Sequence, residues 1–210
     1  MAAHPMMIDH VIIAVMANVK PGKPLNFADI PVANVEWNAR NYWPNEVGNL
    51  TPWVIQHLDD IGHVLGMRLE AQTLRREVRL GSFRADLVLE DSQGRTVLME
   101  LQFGPSDHEH LAKVVTYASE SSADAIVWIV AGTGGRIRPN NPIRPEHQRI
   151  LAWLNREIRQ SATFYGLSIE LESEPSKMPH ADLPLLPRLK LVVGPEGSAV
   201  GPERVVPPGG

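Results

Sequence analysis

The sequence predicts an α/β fold in which a mixed β-sheet is flanked by helices. Two patterns support this prediction. Two alternating segments are joined by a short turn over residues 91–94, and a later apolar segment, Ala125–Ala131, follows a helical segment. Tight turns join antiparallel strands, whereas parallel strands need a longer crossover. We therefore expect both kinds of pairing in one sheet.

Length, composition and charge exclude several classes of protein. The 210 residues suffice for one domain and a tail, with a core that needs no disulfide or structural metal. The absence of cysteine excludes a disulfide scaffold, a cysteine zinc finger and a thiol enzyme. The formal net charge of -4 argues against a protein that coats nucleic acid, but it permits a local basic path.

The two ends of the chain differ from its middle. The apolar stretch over residues 8–16 is far shorter than the ~20 residues that span a bilayer, and no basic region precedes it. We expect it to form a short buried strand or a helix turn within an N-terminal segment, residues 1–34, that packs on a domain over residues 35–193. Residues 194–210, rich in proline and glycine, are expected to be a disordered tail. We expect a cytoplasmic protein.

The first half of the domain begins with a helix. Thr51 can cap this helix, Pro52 suits its first turn, apolar residues recur at helical spacing, and Gly66 ends it. Alternation of apolar and polar residues then predicts three strands, over residues 67–78, 83–89 and 96–103.

The second half alternates between helices and strands. Ser106 or Asp107 can cap a second helix, and Ala125–Ala131 is typical of a strand covered on both faces. A loop, a third helix and two strands are then predicted over residues 132–145, 145–161, 164–171 and 189–193. The glycines of the loop are weak evidence for a phosphate site, because no Lys-Ser/Thr pair follows; a mobile loop is the favoured interpretation.

The most distinctive constellation is Asp86 followed by the triplet Glu100-Leu101-Gln102. Asp86 lies in an apolar strand, where a charge is costly unless it has a role. Glu100 lies on the next strand, and Gln102 points to the same side as Glu100. Two carboxylates with a strand carbonyl suit Mg²⁺ or Mn²⁺. From spacing alone, an alternative stays open in which both carboxylates lie at strand ends in water.

These residues and their surroundings resemble the PD-(D/E)XK nuclease superfamily, which has the restriction-endonuclease-like fold. The match is to a poorly characterised bacterial subfamily with an Asp…Glu-x-Gln core, and it covers about residues 35–193. The segments that carry the resemblance are residues 43–46, 51–53, 78–87, 99–102, 106–111, 116–118, 146–147 and 153–155.

The resemblance implies a metal-dependent endonuclease that hydrolyses DNA phosphodiesters with metal-activated water, in foreign-DNA defence or repair. It implies that Asp86, Glu100 and the Leu101 carbonyl hold Mg²⁺ or Mn²⁺, with Glu46 as a further acidic ligand. The usual lysine of the superfamily is replaced by Gln102, which keeps the hydrogen bonds but not the charge. The alternative is a weak or inactive nuclease-fold module that acts in nucleic-acid binding or assembly.

A helix after the triplet offers a replacement for the missing cation. Lys113 and Tyr117 match a Gln-x-x-x-Tyr pair of RecB-type relatives, and residues four apart share a helix face. We hypothesise that Lys113 supplies the charge that Gln102 lacks, and a solvated lysine is the alternative. His108 and His110 lie two apart on this helix, so they cannot easily bind one ion.

Basic residues define an expected path for DNA, the predicted partner. His110 is expected near the site, where it can contact substrate. The arginines fall in two clusters, Arg75, Arg76, Arg79 and Arg84 before the site and Arg136, Arg138, Arg144 and Arg149 after the apolar strand. Such clusters can bind a phosphate backbone, although ordinary surface charge is the alternative. No membrane partner is expected, and a homodimer is one option for the assembly.

Overall fold

The computed structural model describes residues 37–39, 43–134, 141–158, 162–173, 185–195 and 204–205. The expected N-terminal segment therefore lies outside the described residues, as do most of the residues of the expected tail. Within these ranges, no helix is both long and apolar enough to cross a membrane.

The helices are short and the strands long. The helical elements are a single π-helical turn at Glu46–Leu50 and the α-helices α1 (Thr51–Gln56), α2 (Leu58–Leu65), α3 (His108–Glu120) and α4 (Pro145–Glu157). The strands are β1 (Trp37–Asn38), β2 (Leu69–Leu80), β3 (Phe83–Asp91), β4 (Thr96–Phe103), β5 (Ala125–Ala131), β6 (Thr133–Gly134), β7 (Thr163–Ser173), β8 (Leu185–Val193) and β9 (Arg204–Val205).

A seven-stranded mixed sheet runs in the order β2-β3-β4-β5-β7-β8-β9. Tight turns make β2, β3 and β4 antiparallel neighbours, whereas β5 pairs parallel with β4 and β7 across connections that contain α3 and α4. Strands β8 and β9 extend the sheet in antiparallel pairs, so part of the expected tail forms a strand. The predicted α/β class, with a mixed sheet flanked by helices, is confirmed.

Each face of the sheet has its own core. On the first face, strand residues such as Met99 and Val127 pack with Ile61 of α2. On the second face, strand residues such as Ile126 pack with Val114 of α3 and residues of α4. We call these the α1–α2 side and the α3–α4 side. All seven residues of β5 are buried, as predicted for a strand covered on both faces.

The prediction of one helix from Thr51 to Gly66 is wrong at its centre. His57 leaves the helical region, with φ -110° and ψ 27°, and separates α1 from α2. Its ring stacks on Trp53, and its Nδ1 lies 2.7 Å from the Trp53 carbonyl oxygen. The side chain therefore competes for a carbonyl of α1 at the break. Gly66 ends α2, as predicted, and it does so in the left-handed conformation.

Candidate active site

Asp86 and Glu100 come together where β3 and β4 stop pairing. Leu87–Met99 is the last pair of the β3–β4 register. Beyond it, the backbone N–H of Leu101 donates a hydrogen bond of 2.7 Å to Oδ2 of Asp86. The carboxylate thus replaces a backbone acceptor in the ladder. The two acidic residues therefore lie on adjacent antiparallel strands, as the spacing predicts.

The environment of Asp86 disfavours its negative charge. Burial and the nearby Glu100 carboxylate raise the pKa of Asp86 to about 7, against the opposing effect of the Leu101 N–H. The charges of Glu46 and Glu77 raise the pKa further. A group with this pKa beside other carboxylates marks a place where negative charge is in excess, and a bound cation would relieve that excess.

Glu100 is 1% exposed, and both of its oxygens have partners. Lys113 Nζ donates to Oε1 at 2.9 Å, and the Tyr117 hydroxyl lies 2.7 Å from Oε2. Burial raises the pKa of Glu100, although both contacts act in the opposite direction. Burial lowers the pKa of Lys113, but the bond to Glu100 outweighs this effect and the net pKa is raised. Lys113 therefore stays charged beside the site.

The helix α3 brings Lys113 and Tyr117 to the same carboxylate. Asp107 caps α3, because its side chain accepts from the backbone N–H of His110 at 2.9 Å. The shared helix face that the spacing predicts is confirmed by the two contacts with Glu100. The Tyr117 hydroxyl also lies 2.7 Å from the Arg84 carbonyl oxygen, so α3 is tied to both β3 and β4.

Gln102 is buried two residues after Glu100, but its side chain makes no hydrogen bond to Asp86 or Glu100. Its Nε2 donates to the Pro105 carbonyl oxygen at 3.0 Å and to Asp107 Oδ2 at 2.8 Å. Its Oε1 accepts from Trp128 Nε1 at 3.1 Å. Both amide hydrogens are therefore used within the protein. The Gln102 side chain therefore joins β4 to β5, through Trp128, and to the start of α3, through Asp107.

Two further acidic residues approach Asp86 from the surface. Glu46 begins the π-helical turn, which Asn45 caps by accepting from Gly48 N at 2.8 Å. Glu77 was not predicted. It is exposed on β2, and it is the one non-glycine residue in the described ranges with a positive φ, 52°. Glu77 lies between Arg76 and Val78, which both pair with β3, and nothing in the residue pattern signals its conformation.

The predicted arginines of the first cluster line the β2–β3 hairpin. All four are exposed, and no ion pair joins them to other described residues. Arg79 and Arg84 lie directly opposite each other in the register. Like charges in this position repel, so a bound anion would stabilise them. Arg136 and Arg138 lie outside the described residues.

The two histidines of α3 diverge, as predicted. His110 Nδ1 lies 2.9 Å from Asp107 Oδ1, whereas the rings of His108 and His147 are perpendicular with 5.0 Å between their centroids. Among the described residues, no group of three or more His, Cys, Asp or Glu side chains has the arrangement of a metal site.

Comparisons with known proteins give limited similarity. No family model matches the chain, and no curated protein matches it. Among solved structures, a repair endonuclease from Pyrococcus abyssi shares 13% identity at a TM-score of 0.35, covering 55% of this chain and 43% of that one. SfsA from Pyrococcus furiosus, in complex with Ca²⁺, shares 15% identity at a TM-score of 0.34, covering 57% of each chain. The chain thus spans about half the length of these two proteins.

Proposed function

We propose that this protein is a metal-dependent nuclease that hydrolyses DNA phosphodiester bonds, in foreign-DNA defence or in repair. One observation carries the proposal. Asp86 and Glu100 meet at the point where their strands separate, and burial together with the neighbouring Glu100 carboxylate raises the pKa of Asp86 to about 7. The resemblance to the PD-(D/E)XK superfamily covers the same residues, and it adds support from the sequence.

The donor set of the site fits Mg²⁺ or Mn²⁺. Both ions prefer oxygen ligands, which Asp86, Glu100 and the Leu101 carbonyl can provide. Each Glu100 oxygen keeps acceptor capacity after its contact with Lys113 or Tyr117. Few protein carboxylates suffice, because Mg²⁺ usually keeps several of its waters. When bound, such an ion supplies Lewis acidity and lowers the pKa of water. Glu46 is the proposed further ligand.

The remaining residues of the site have complementary roles in this proposal. Lys113 provides the positive charge that the usual superfamily lysine would provide. Tyr117 holds the Glu100 carboxylate in place through its hydroxyl. The exposed Arg79 and Arg84 bind the phosphate backbone of the DNA beside the site, together with Arg75 and Arg76.

Incubation of the protein with DNA and Mg²⁺ or Mn²⁺ tests the proposal. Asp86→Asn and Glu100→Gln keep the shape of each side chain but remove its charge, so cleavage should fall by at least about 100-fold. Asp59→Asn is the matched control, because Asp59 is exposed on α2, on the opposite side of the sheet. Equal cleavage by the wild type and both site variants would contradict the proposal.

The second candidate is a nuclease-fold module that binds nucleic acid without cutting it. The observation that favours it is Gln102, whose amide hydrogens are all used within the protein. Metal binding separates the two candidates. A rise in melting temperature with Mn²⁺ that Asp86→Asn abolishes supports the enzyme, because a ligand stabilises only the state that binds it. DNA binding with no such rise supports the module.

A further inference from the structure

A chain of hydrogen bonds runs from the core of the sheet to the surface beside the site. It begins at Trp128 on β5, passes through Gln102 on β4 and Asp107 at the start of α3, and ends at His110. Trp128 is 0% exposed and Gln102 is 3% exposed, whereas the side chain of His110 is 20% exposed. This series of hydrogen bonds therefore connects the buried indole of Trp128 to the partly exposed imidazole of His110.

Only one assignment of donors and acceptors is consistent with all the hydrogen bonds from Trp128 to His110. The indole of Trp128 can only donate, so the oxygen of Gln102 must face it and the amide hydrogens must face Asp107. An ionised carboxylate can only accept. Hydrogen bonds from His110 outweigh the burial of Asp107 and lower its pKa, which keeps it ionised.

The same arrangement fixes the ring of His110. Oδ1 of Asp107 accepts from both the backbone N–H and the ring Nδ1 of His110, each at 2.9 Å. The proton of the neutral ring must therefore lie on Nδ1, which leaves a lone pair on Nε2. Nε2 has no hydrogen-bond partner among the described residues.

His110 also lies on the face of α3 that meets the acidic pair. It is three residues before Lys113 and seven before Tyr117, and such residues share one face of a helix. Both of those side chains contact Glu100, and His110 in its protonated form also acts to lower the pKa of Glu100. The free nitrogen of an oriented, partly exposed imidazole therefore lies on the helix face that meets Glu100.

We propose that His110 is the general base of the hydrolysis, with Asp107 and Gln102 as positioning residues that hold its tautomer. This inference rests on the proposed nuclease function. It also explains why glutamine stands at position 102 in place of the usual superfamily lysine. A lysine has no oxygen that could accept a hydrogen bond from Trp128, so it could not link Trp128 to Asp107.

The proposed step balances in atoms and electrons. A water molecule attacks the phosphorus of the DNA backbone, and its oxygen forms a new P–O bond. One O–H bond of that water breaks, and the proton moves to Nε2 of His110. The P–O bond to the leaving sugar oxygen breaks, and that oxygen keeps the electron pair and takes a proton from solvent. The imidazolium then releases its proton to solvent.

Kinetics of DNA cleavage by His110→Ala test the role of the base. Loss of a general base should lower kcat by about 10²- to 10⁴-fold with little change in KM. Added imidazole should restore part of kcat, and the Mn²⁺-induced rise in melting temperature should match that of the wild type. His63→Ala is the control, because His63 is exposed on α2 on the opposite side of the sheet.

A spectroscopic measurement tests the positioning residues without cleavage. In ¹⁵N NMR of the protein in EDTA at alkaline pH, the neutral ring of His110 should show the tautomer protonated at Nδ1. Gln102→Met removes the donor that holds Oδ2 of Asp107, so the carboxylate can turn away from the ring. The tautomer protonated at Nε2 should then gain population, with a partial loss of kcat. Folding of each variant is checked by its melting temperature.

The outcomes separate this inference from the proposed function. If the wild type cleaves DNA and Asp86→Asn does not, while His110→Ala keeps kcat within about twofold, the role of His110 is wrong and the nuclease stands. A loss confined to KM would make His110 a substrate contact, which also overturns the role. A ring protonated at Nε2 in the wild type overturns the positioning. Absence of cleavage by the wild type overturns both proposals.

Discussion

At the scale of single residues, Asp86 shows how the fold sets up a site at the expense of stability. Its carboxylate accepts one backbone N–H but lies among the charges of Glu100, Glu46 and Glu77. In the metal-free protein, burial and repulsion therefore favour the protonated form. The folded chain keeps this proton up to about pH 7, whereas an unfolded aspartate loses it near its ordinary pKa of 3.8.

The first prediction concerns the stability of Asp86→Asn. Between about pH 4 and pH 7 the folded wild type binds more protons than the unfolded chain, so its free energy of unfolding falls as pH rises. Asparagine still accepts from Leu101 but does not titrate. At pH 8 in EDTA, the variant should be more stable than the wild type by about 1–3 kcal/mol, with a smaller difference at pH 4. Urea unfolding at the two pH values measures this, and an equal difference at both would contradict it.

The second prediction concerns Lys113. Lys113→Met leaves the carboxylate of Glu100 buried without its cation, which should lower cleavage by at least about tenfold. Lys113→Arg keeps a positive charge at this place and should retain more activity than Lys113→Met. Cleavage assays with Mg²⁺ on the two variants and on Gln102→Ala measure the effect. The hypothesis fails if Lys113→Met cuts like the wild type while Gln102→Ala does not cut.

At the scale of elements, the junction of α2 with β2 depends on two glycines with different roles. A Cβ on Gly62 would lie 2.6 Å from the Met67 carbonyl oxygen, so the helix approaches the connection to β2 too closely for a side chain. Gly66 has open space around it, but its φ of 72° is left-handed. One position thus requires glycine for space and the other for conformation.

The third prediction follows from this difference. Gly62→Ala should destabilise the protein by about 1–3 kcal/mol, because backbone must move to relieve the overlap. Gly66→Ala should cost about 1 kcal/mol through its conformation alone. Gly66→Asn should cost less than Gly66→Ala, since asparagine tolerates the left-handed region. Chemical denaturation of the three variants measures these differences, and a loss for Gly66→Asn equal to that for Gly62→Ala would contradict the assignment.

The sequence predicts elements whose signals are local. The turn over residues 91–94 places Asp86 opposite Glu100, since hairpin geometry follows from a few adjacent residues. The break at His57 is missed because the apolar spacing continues through it. The contact of Gln102 with Trp128 is missed because it joins two strands that pair only after a helix has crossed between them. Contacts of this kind depend on tertiary packing.

At the scale of the whole molecule, charge is distributed unevenly. The formal net charge is -4, yet the β2–β3 hairpin carries arginines that pair with no described carboxylate. Acidic residues meanwhile concentrate around Asp86. A negative total is therefore compatible with a basic edge that meets a phosphate backbone.

The fourth prediction is a salt dependence of DNA affinity that comes from this edge. The double variant Arg79→Gln, Arg84→Gln should bind more weakly and should flatten the plot of log affinity against log salt by about 0.7–0.9 for each phosphate that the protein no longer neutralises. Arg68→Gln is the control, because Arg68 is 80% exposed and lies near Glu70 at the other end of β2. Fluorescence anisotropy at several salt concentrations measures the slopes. An equal slope for the double variant and the wild type would contradict the prediction.

The principal groups of the site come from one continuous stretch of chain, the β3–β4 hairpin and the helix α3 that follows it. Such a stretch can nucleate as a local unit, because closing short loops costs less entropy than closing long ones. The geometry of the candidate site would then be established early in folding, and the strands β7 to β9 would consolidate it later. Destabilising substitutions in those outer strands should therefore raise the unfolding rate more than they lower the folding rate.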